Sequence, residues 1–348
     1  MENKRRLFLY YDPHPFHAHL AKLVGARFYP APKLESRSKN FIKSTIDTVR
    51  LLLAIFTLPR DYDVYLCEST YIFPAMARKF GLLSKNAKII DILASPLLYY
   101  ITTDEIKGLR KRMAIELIKQ VDGFICVGSM EMELLHKVVQ TSKPIMLTYP
   151  MVSERFYHKF KTKSKMPPLN NHNLVTIGSH DTYYKGIDII VEAFKIVRTK
   201  YPDAKLNIIG RFDTVDESLK GIDGVDFLGY VKDISGILQE SSLFLQMGRG
   251  DAFPISTLEA MLFGVPAIVS EATGTKEIVS FVDKKLIIRL DAKELAKRIC
   301  WYMGLPYKQK LKLSEGGIKA VKKIIFKDDK FVYEYSKFED GILLNRGY

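Results

Sequence analysis

Between Gly250 and Pro266 the chain places two carboxylates, Asp251 and Glu259, eight residues apart on either side of a Ser256-Thr257 pair. Asp251 falls in a loop bracketed by Gly248 and Gly250, straight after an apolar run. Glu259 falls two turns into the segment that follows, and Gly264-Val265-Pro266 ends that segment. A helix start offers unpaired N–H groups and the positive end of a dipole, both of which attract anions. Carboxylates accept hydrogen bonds from hydroxyls. A ligand carrying both phosphates and many hydroxyls suits such a site. Each residue also has a plainer role. Asp251 can be a turn residue after Gly250, and Ser256 and Thr257 can be helix caps. Glu259 has apolar neighbours in Leu258, Ala260 and Met261, which suggests a face near a cleft rather than open solvent. Arg249 is a loop arginine within reach of a phosphate.

A second cluster, Asp12 with His14, His17 and His19, sits in a Pro-containing loop after the first apolar run. Histidines at that spacing can bind metal. A better use is a loop facing the cleft, where His14 or His17 serves as a general base or phosphate contact. The bland reading is a polar loop with no chemistry.

The elements that must carry these residues alternate regularly. In the first half, short apolar runs at 7–11, 64–67, 89–93, 124–127 and 145–148 are separated by helical spacing at 41–56, 71–80, 104–120 and 130–138. In the second, runs at 174–178, 206–210, 225–228, 243–246, 267–270 and 286–288 alternate with helices at 186–198, 256–263, 291–303 and 311–325. Such alternation predicts parallel strands with crossover helices. The fold class is α/β: two Rossmann-like doubly wound domains facing across a cleft, with function at the carboxyl ends of the strands. Residues 1–155 form the first domain; 156–173, Lys-rich with Pro167-Pro168 and Asn170-Asn171, a solvated linker. Residues 174–326 form the second domain, and 327–348 a last amphipathic helix that can pack back on the first.

A length of 348 residues favours two domains. The apolar run 51–58 is too short to span a bilayer and is flanked by Arg50 and Arg60. The N-terminus lacks the pattern of a secretory signal, so a cytoplasmic location is expected. Cys67, Cys126 and Cys300 lie far apart in apolar runs and read as buried hydrophobes rather than disulfides or zinc ligands. The net charge of +14 is spread over both halves: residues 1–150 hold 22 Lys/Arg against 14 Asp/Glu. That field favours anionic partners. Without a basic–aromatic tract, nucleic acid is disfavoured. The segment 41–56, with Lys43 and Arg50 beside an apolar body, and the basic cluster at 107–112 leave peripheral contact with an anionic membrane open. A core-packing crossover helix is the plainer reading.

Read without gaps, Asp251 to Met261 resembles the Glu-x7-Glu signature of family 4 retaining glycosyltransferases of the GT-B fold (glycosyl transferases group 1). Ile177-Gly178 followed by Tyr184-Lys185-Gly186 resembles that family's first strand and Lys-Gly turn. Tyr201-Pro202-Asp203 through Gly210, Phe227-Leu228-Gly229-Tyr230 and Gly274-Thr275-Lys276-Glu277-Ile278-Val279 follow in order, so residues 174–303 are covered almost continuously. In the first half only Tyr62-Asp63-Val64 and Val127-Gly128-Ser129 are similar. An ordered series is far more specific than any one piece.

The resemblance implies transfer of a hexose from a nucleotide diphosphate sugar to a glycan or lipid-linked acceptor, with retention and without metal or other cofactor. Lys185 would pair with the diphosphate. Asp251 would hold the transferred sugar, helped by the N–H groups of Ala252 and Phe253, and Glu259 would bind the ribose. Gly178, Ser179, Ser256 and Thr257 would line the donor. The chain departs from the pattern in three places. Asp251 stands for Glu. Ser179-His180 stand where an Arg is usual, so Arg211 or Arg249 would supply that contact. The stretch 91–95 lacks a His many members carry, for which Asp91 or Ser95 would stand. The alternatives are an inactive nucleotide-sugar or glycan-binding homologue, or a related epimerase or phosphorylase.

Overall fold

The computed structural model describes residues 4–11, 15–32, 41–150, 158, 166–178, 180–324 and 327–344. The chain divides into two compact units, Met1–Thr148 with Lys327–Tyr348, and Tyr149–Phe326.

In the first unit, β1 (Arg6–Tyr10), β2 (Ala26–Pro30), β3 (Val64–Glu68), β4 (Lys88–Leu93), β5 (Gly123–Cys126) and β6 (Ile145–Leu147) form one parallel sheet in the order β2-β1-β3-β4-β5-β6. Its inner strands are continuous apolar runs because helices cover both faces; Leu7, Leu9, Val64, Tyr65 and Ile89 are fully buried. The connections are α1 (Pro15–Leu23), α2 (Phe41–Thr57), α3 (Ile72–Lys79), α4 (Leu97–Thr102), α5 (Gly108–Ile118) and α6 (Ser129–Val139). The chain reverses direction across the sheet between β1 and β3, so the crevice of this unit opens after those two strands.

The second unit repeats the design. Its sheet, in the order β11-β9-β7-β12-β13-β14, is built from β7 (Asn173–Ile177), β9 (Lys205–Ile209), β11 (Val225–Gly229), β12 (Leu243–Gln246), β13 (Ala267–Ser270) and β14 (Ile287–Ile288). A short pair, β8 (His180–Asp181) with β10 (Phe212–Thr214), extends beyond β7 and β9. Helices α7 (Ile187–Lys200), α8 (Ser235–Glu240), α9 (Ile255–Leu262), α10 (Lys276–Ser280), α11 (Ala292–Met303) and α12 (Tyr307–Lys323) flank it. Here the switch of direction falls between β7 and β12.

The last helix, α13 (Asp328–Leu344), returns to the first unit and packs beside β6. Its Glu339 takes Arg6 Nε at 2.7 Å and Nη2 at 2.6 Å, with both side chains almost fully buried. Tyr335 donates to the same carboxylate at 2.9 Å.

Several sequence expectations are corrected. The His-bearing stretch is not a loop throughout: Pro15–Leu23 is helix α1, preceding an unforeseen strand, β2. Pro15 fits a first helical turn, where its missing N–H costs nothing. The helix expected over 104–120 begins only at Gly108, because Asp104 and Gly108 both adopt left-handed φ angles (58° each) that interrupt it after α4. Of the stretch read as linker, 156–157 and 159–165 lie outside the described residues. Within 166–173, Leu169 is buried and Asn171 and Asn173 donate to the carbonyl of Glu240, tying this stretch to the second unit. Cys67 and Cys126 are buried and Cys300 is half-buried, all as free thiols.

Candidate functional site

The loops after β7 and β12, on either side of the switch point, bring Lys185 and Asp251 together. Behind β7 the chain closes a turn in which Gly186 N–H donates to Tyr183 O at 3.0 Å, and α7 starts at once. Gly186 has φ +67°, and a Cβ there would lie 2.0 Å from the Met247 carbonyl at the end of β12, so only glycine lets the two loops approach. Gly178 lies against the stem of Lys185, where a Cβ would come to 3.0 Å from Cγ. Arg249 N–H donates to Tyr184 O at 2.8 Å and joins the loops directly.

Lys185 Nζ donates to Asp251 Oδ2 at 2.7 Å, and the Tyr184 ring lies 5.1 Å from the same ammonium. Gln246, buried at the end of β12, donates to that carboxylate oxygen at 3.1 Å. The backbone of Asp251 is pinned to the loop after β13: Gly250 N–H reaches Ala272 O and Gly274 N–H reaches Asp251 O, each at 2.9 Å. Asp251 is thus held rigidly, with Oδ2 taken and Oδ1 without a donor among the described residues. The next two residues, Ala252 and Phe253, are buried, and their N–H groups find no acceptor among the described residues. Such amides beside a carboxylate are ready to bind a hydroxylated or anionic ligand. The Phe253 ring packs 5.5 Å from that of Tyr149, whose hydroxyl donates to Glu277.

Glu259 sits on α9, half-buried among Leu258, Ala260 and Met261. Its carboxylate has neither a hydrogen bond nor an ion pair with a described residue. Burial pushes its carboxyl up to about 7. A carboxylate left desolvated without a partner is a functional candidate.

Ser256 and Thr257 do not cap the helix. Pro254 occupies the cap position without a side-chain bond, and both hydroxyl residues lie inside the first turn. Thr257 is fully buried with Oγ1 unpartnered, as is Thr275 Oγ1 on the neighbouring loop. The uncapped amides therefore remain at the start of α9.

Arg249 is already engaged. It forms a two-pronged pair with Asp188 of α7 (2.9 and 2.7 Å), donates to Tyr183 O, and lies 3.9 Å over the Tyr183 ring. Arg211 is exposed after β9, 5.7 Å from the Tyr230 ring. Ser179 lies outside the described residues.

In the first unit, His14 and the side chain of His17 lie outside the described residues. His19, on α1, bonds Asp328 of α13 at 2.9 Å. Asp91, within β4, is 2% exposed with Oδ1 unpartnered, and burial, reinforced by Glu68, raises its carboxyl well above the ordinary value. Ser95 is half-buried beyond it.

Gln246, Asp188 and the Tyr149–Glu277 contact are not among the residues that the sequence singles out. Gln246 carried a signal: it is the one polar residue of a fully buried strand. Asp188 and Tyr149 carried none, since their roles depend on partners 61 and 128 residues away.

Residues 171–304 match the family model described as Glycosyl transferases group 1. An uncharacterized glycosyltransferase of Haemophilus influenzae is 30% identical over 125 residues, 34% of this chain and 35% of that protein. The N-acetyl-alpha-D-glucosaminyl L-malate synthase of Bacillus anthracis is 24% identical over 264 residues, 73% of this chain and 65% of the relative. The chain thus spans about a third to two thirds of the length of the curated relatives it matches. Among solved structures, Anabaena HepE in complex with UDP and glucose superposes with a TM-score of 0.69 at 13% identity, covering 97% of this chain and 100% of that one. Sucrose-phosphate synthase from Thermosynechococcus elongatus gives 0.72 at 13% identity, covering 98% and 100%. Residues 171–304, within the second unit, are thus similar to glycosyl transferases group 1, in a chain whose two parallel-sheet units have the GT-B fold.

Proposed function

We propose that this protein is a glycosyltransferase that moves a hexose from a nucleotide diphosphate sugar to a hydroxyl of a glycan or lipid-linked acceptor, with retention of configuration and without a metal ion. The observation that carries the reading is the Lys185–Asp251 pair at the switch point, flanked by the unpartnered amides of Ala252 and Phe253. The relatives add support: a synthase acting with an N-acetylglucosaminyl group and a fold neighbour holding UDP and glucose make uridine diphosphate sugars the first donors to try.

In this reading Lys185 keeps one proton on Asp251 and turns its other N–H donors to the diphosphate, since an ammonium has three. Its charge, with the open amides at the start of α9, stabilises the negative charge that grows on the departing phosphate, the role a metal ion plays elsewhere. Asp251 Oδ1 and the amides of Ala252 and Phe253 hold the sugar hydroxyls. Glu259, ionised, grips the ribose hydroxyls. The bond from the sugar's anomeric carbon to the diphosphate breaks, the acceptor hydroxyl bonds to that carbon on the same face, and its proton passes to the departing phosphate oxygen, which gives retention.

Thermal shift against a panel of nucleotide sugars tests the donor assignment, because a ligand bound only to the folded state stabilises it by mass action. Lys185→Ala and Glu259→Ala are each expected to lower donor affinity by roughly tenfold or more while the protein stays folded. Wild-type affinity in both variants would sink the site. The anomer of the product, read by NMR, tests retention, and activity unchanged by a chelator tests metal independence. Tight donor binding without turnover or hydrolysis would favour a binding module instead.

A further inference from the structure

Helix α2 is apolar on both sides. Its inner face, Ala54, Ile55 and Leu58, is buried in the first unit. Its outer face carries Ile46, Val49, Leu53 and Phe56 at 44%, 50%, 59% and 55% exposure, with Leu52 beside them. The spacing of three, four and three residues aligns the four in one row along the helix. A surface helix normally turns polar residues outward, and an all-round apolar helix is normally covered. The row also continues sideways. Phe56 stacks on Phe80 at the end of α3, with ring centroids 6.4 Å apart and nearly parallel. Helix α3 packs against α5 as well as α2, and α5 exposes Leu109 and Met113. Exposed apolar surface of this kind marks an interaction site.

The charges on these helices indicate the occupant. Arg50, Arg60, Lys79, Lys107, Arg110 and Arg112 are all exposed. The acids Asp47, Asp104, Glu105 and Glu116 are fewer, and all but Glu105 are paired with a basic neighbour. An apolar row rimmed by cations fits the interface of a bilayer with anionic headgroups: the row enters the acyl boundary while the basic groups meet phosphates. No helix among the described residues is long and apolar enough to cross a membrane, so the contact is one-sided.

We infer that α2, with the ends of α3 and α5, docks the first unit on an anionic lipid surface. This inference stands independently of the donor site.

The full chain is sedimented with phosphatidylcholine vesicles, with and without phosphatidylglycerol. Binding only to the anionic vesicles, weakened by salt, is expected. The variant Leu53→Glu/Phe56→Glu replaces exposed side chains, so it folds, and it is expected to lose binding by roughly tenfold or more. Its thermal shift with donor stays at the wild-type value, which separates failure here from failure of the donor assignment. Three results overturn the inference: no sedimentation of the wild type with anionic vesicles, equal binding by the variant, or a wild-type dimer in light scattering that the variant dissolves. The last would mean that a second copy covers the row.

Discussion

Lys185 and Asp251, 66 residues apart, are joined by a 2.7 Å ion pair with their side chains 18% and 11% exposed. Buried pairs are weak sources of stability, because desolvation offsets most of the attraction, but losing one partner leaves the other uncompensated. Lys185→Ala is therefore expected to destabilise the second unit by about 1–3 kcal/mol. Asp251→Ala on top of it is expected to restore part of the loss. A double-mutant cycle by denaturant unfolding checks this; additive losses would mean that the pair does not hold the two loops together.

Glu259 has a pH signature. Its carboxyl titrates near 7 in the folded protein against 4.5 for an unperturbed one, so the ligand-free fold binds this proton more tightly than the unfolded chain does. The stability that results is complete below 4.5 and is lost as pH rises through about 7. Glu259→Gln, which cannot ionise, is expected to exceed the wild type in stability at about pH 8 by roughly 1–3 kcal/mol, and to match it more closely at about pH 5. Bound ribose hydroxyls favour the ionised form, so donor affinity of the wild type rises across the same window and that of the variant stays flat. Melting curves and donor titrations at both pH values decide it.

Arg249 stood beside the carboxylates in sequence as a phosphate contact, yet the fold commits it to Asp188 and Tyr183. Arg249→Ala is accordingly expected to lower stability by about 1–3 kcal/mol, since it leaves a half-buried carboxylate without its partner. Donor affinity, measured well below the melting temperature, changes by less than roughly tenfold. A large drop in affinity with unchanged melting would restore the phosphate role.

What the sequence made legible follows from range. Both sheets, and the loop–helix–turn from Gly250 to Pro266, were readable because buried parallel strands are unbroken apolar runs and the turns around them are marked by glycine. Strand β2 was missed because its residues are only half-buried and its middle is Arg27-Phe28-Tyr29, too short and mixed to show a period. The state of Glu259 was foreshadowed by apolar neighbours. Arg249 cannot be placed from sequence, since nothing near it announces Asp188, and Ser256-Thr257 resembles a cap because sequence alone does not mark Pro254, two residues earlier, as the cap.

The C-terminal helix offers the test least connected to ligand. Burial alone would raise the Glu339 carboxyl, but hydrogen bonds from Arg6 and Tyr335 outweigh it and the net direction is down. A carboxylate so depressed stabilises the fold above the ordinary carboxylate range, and that stability is lost as pH falls through its lowered value. Glu339→Ala leaves Arg6, 4% exposed, with no carboxylate and is expected to cost about 3–5 kcal/mol. Arg6→Met/Glu339→Leu, which removes both charges and keeps the volume, is expected to recover most of it. Because α13 belongs to the first unit, the loss appears in its unfolding transition and in protection of the β1 amides from hydrogen exchange. A Glu339→Ala protein as stable as the wild type would mean that apolar packing alone, through residues such as Phe331 and Ile342, holds the helix in place.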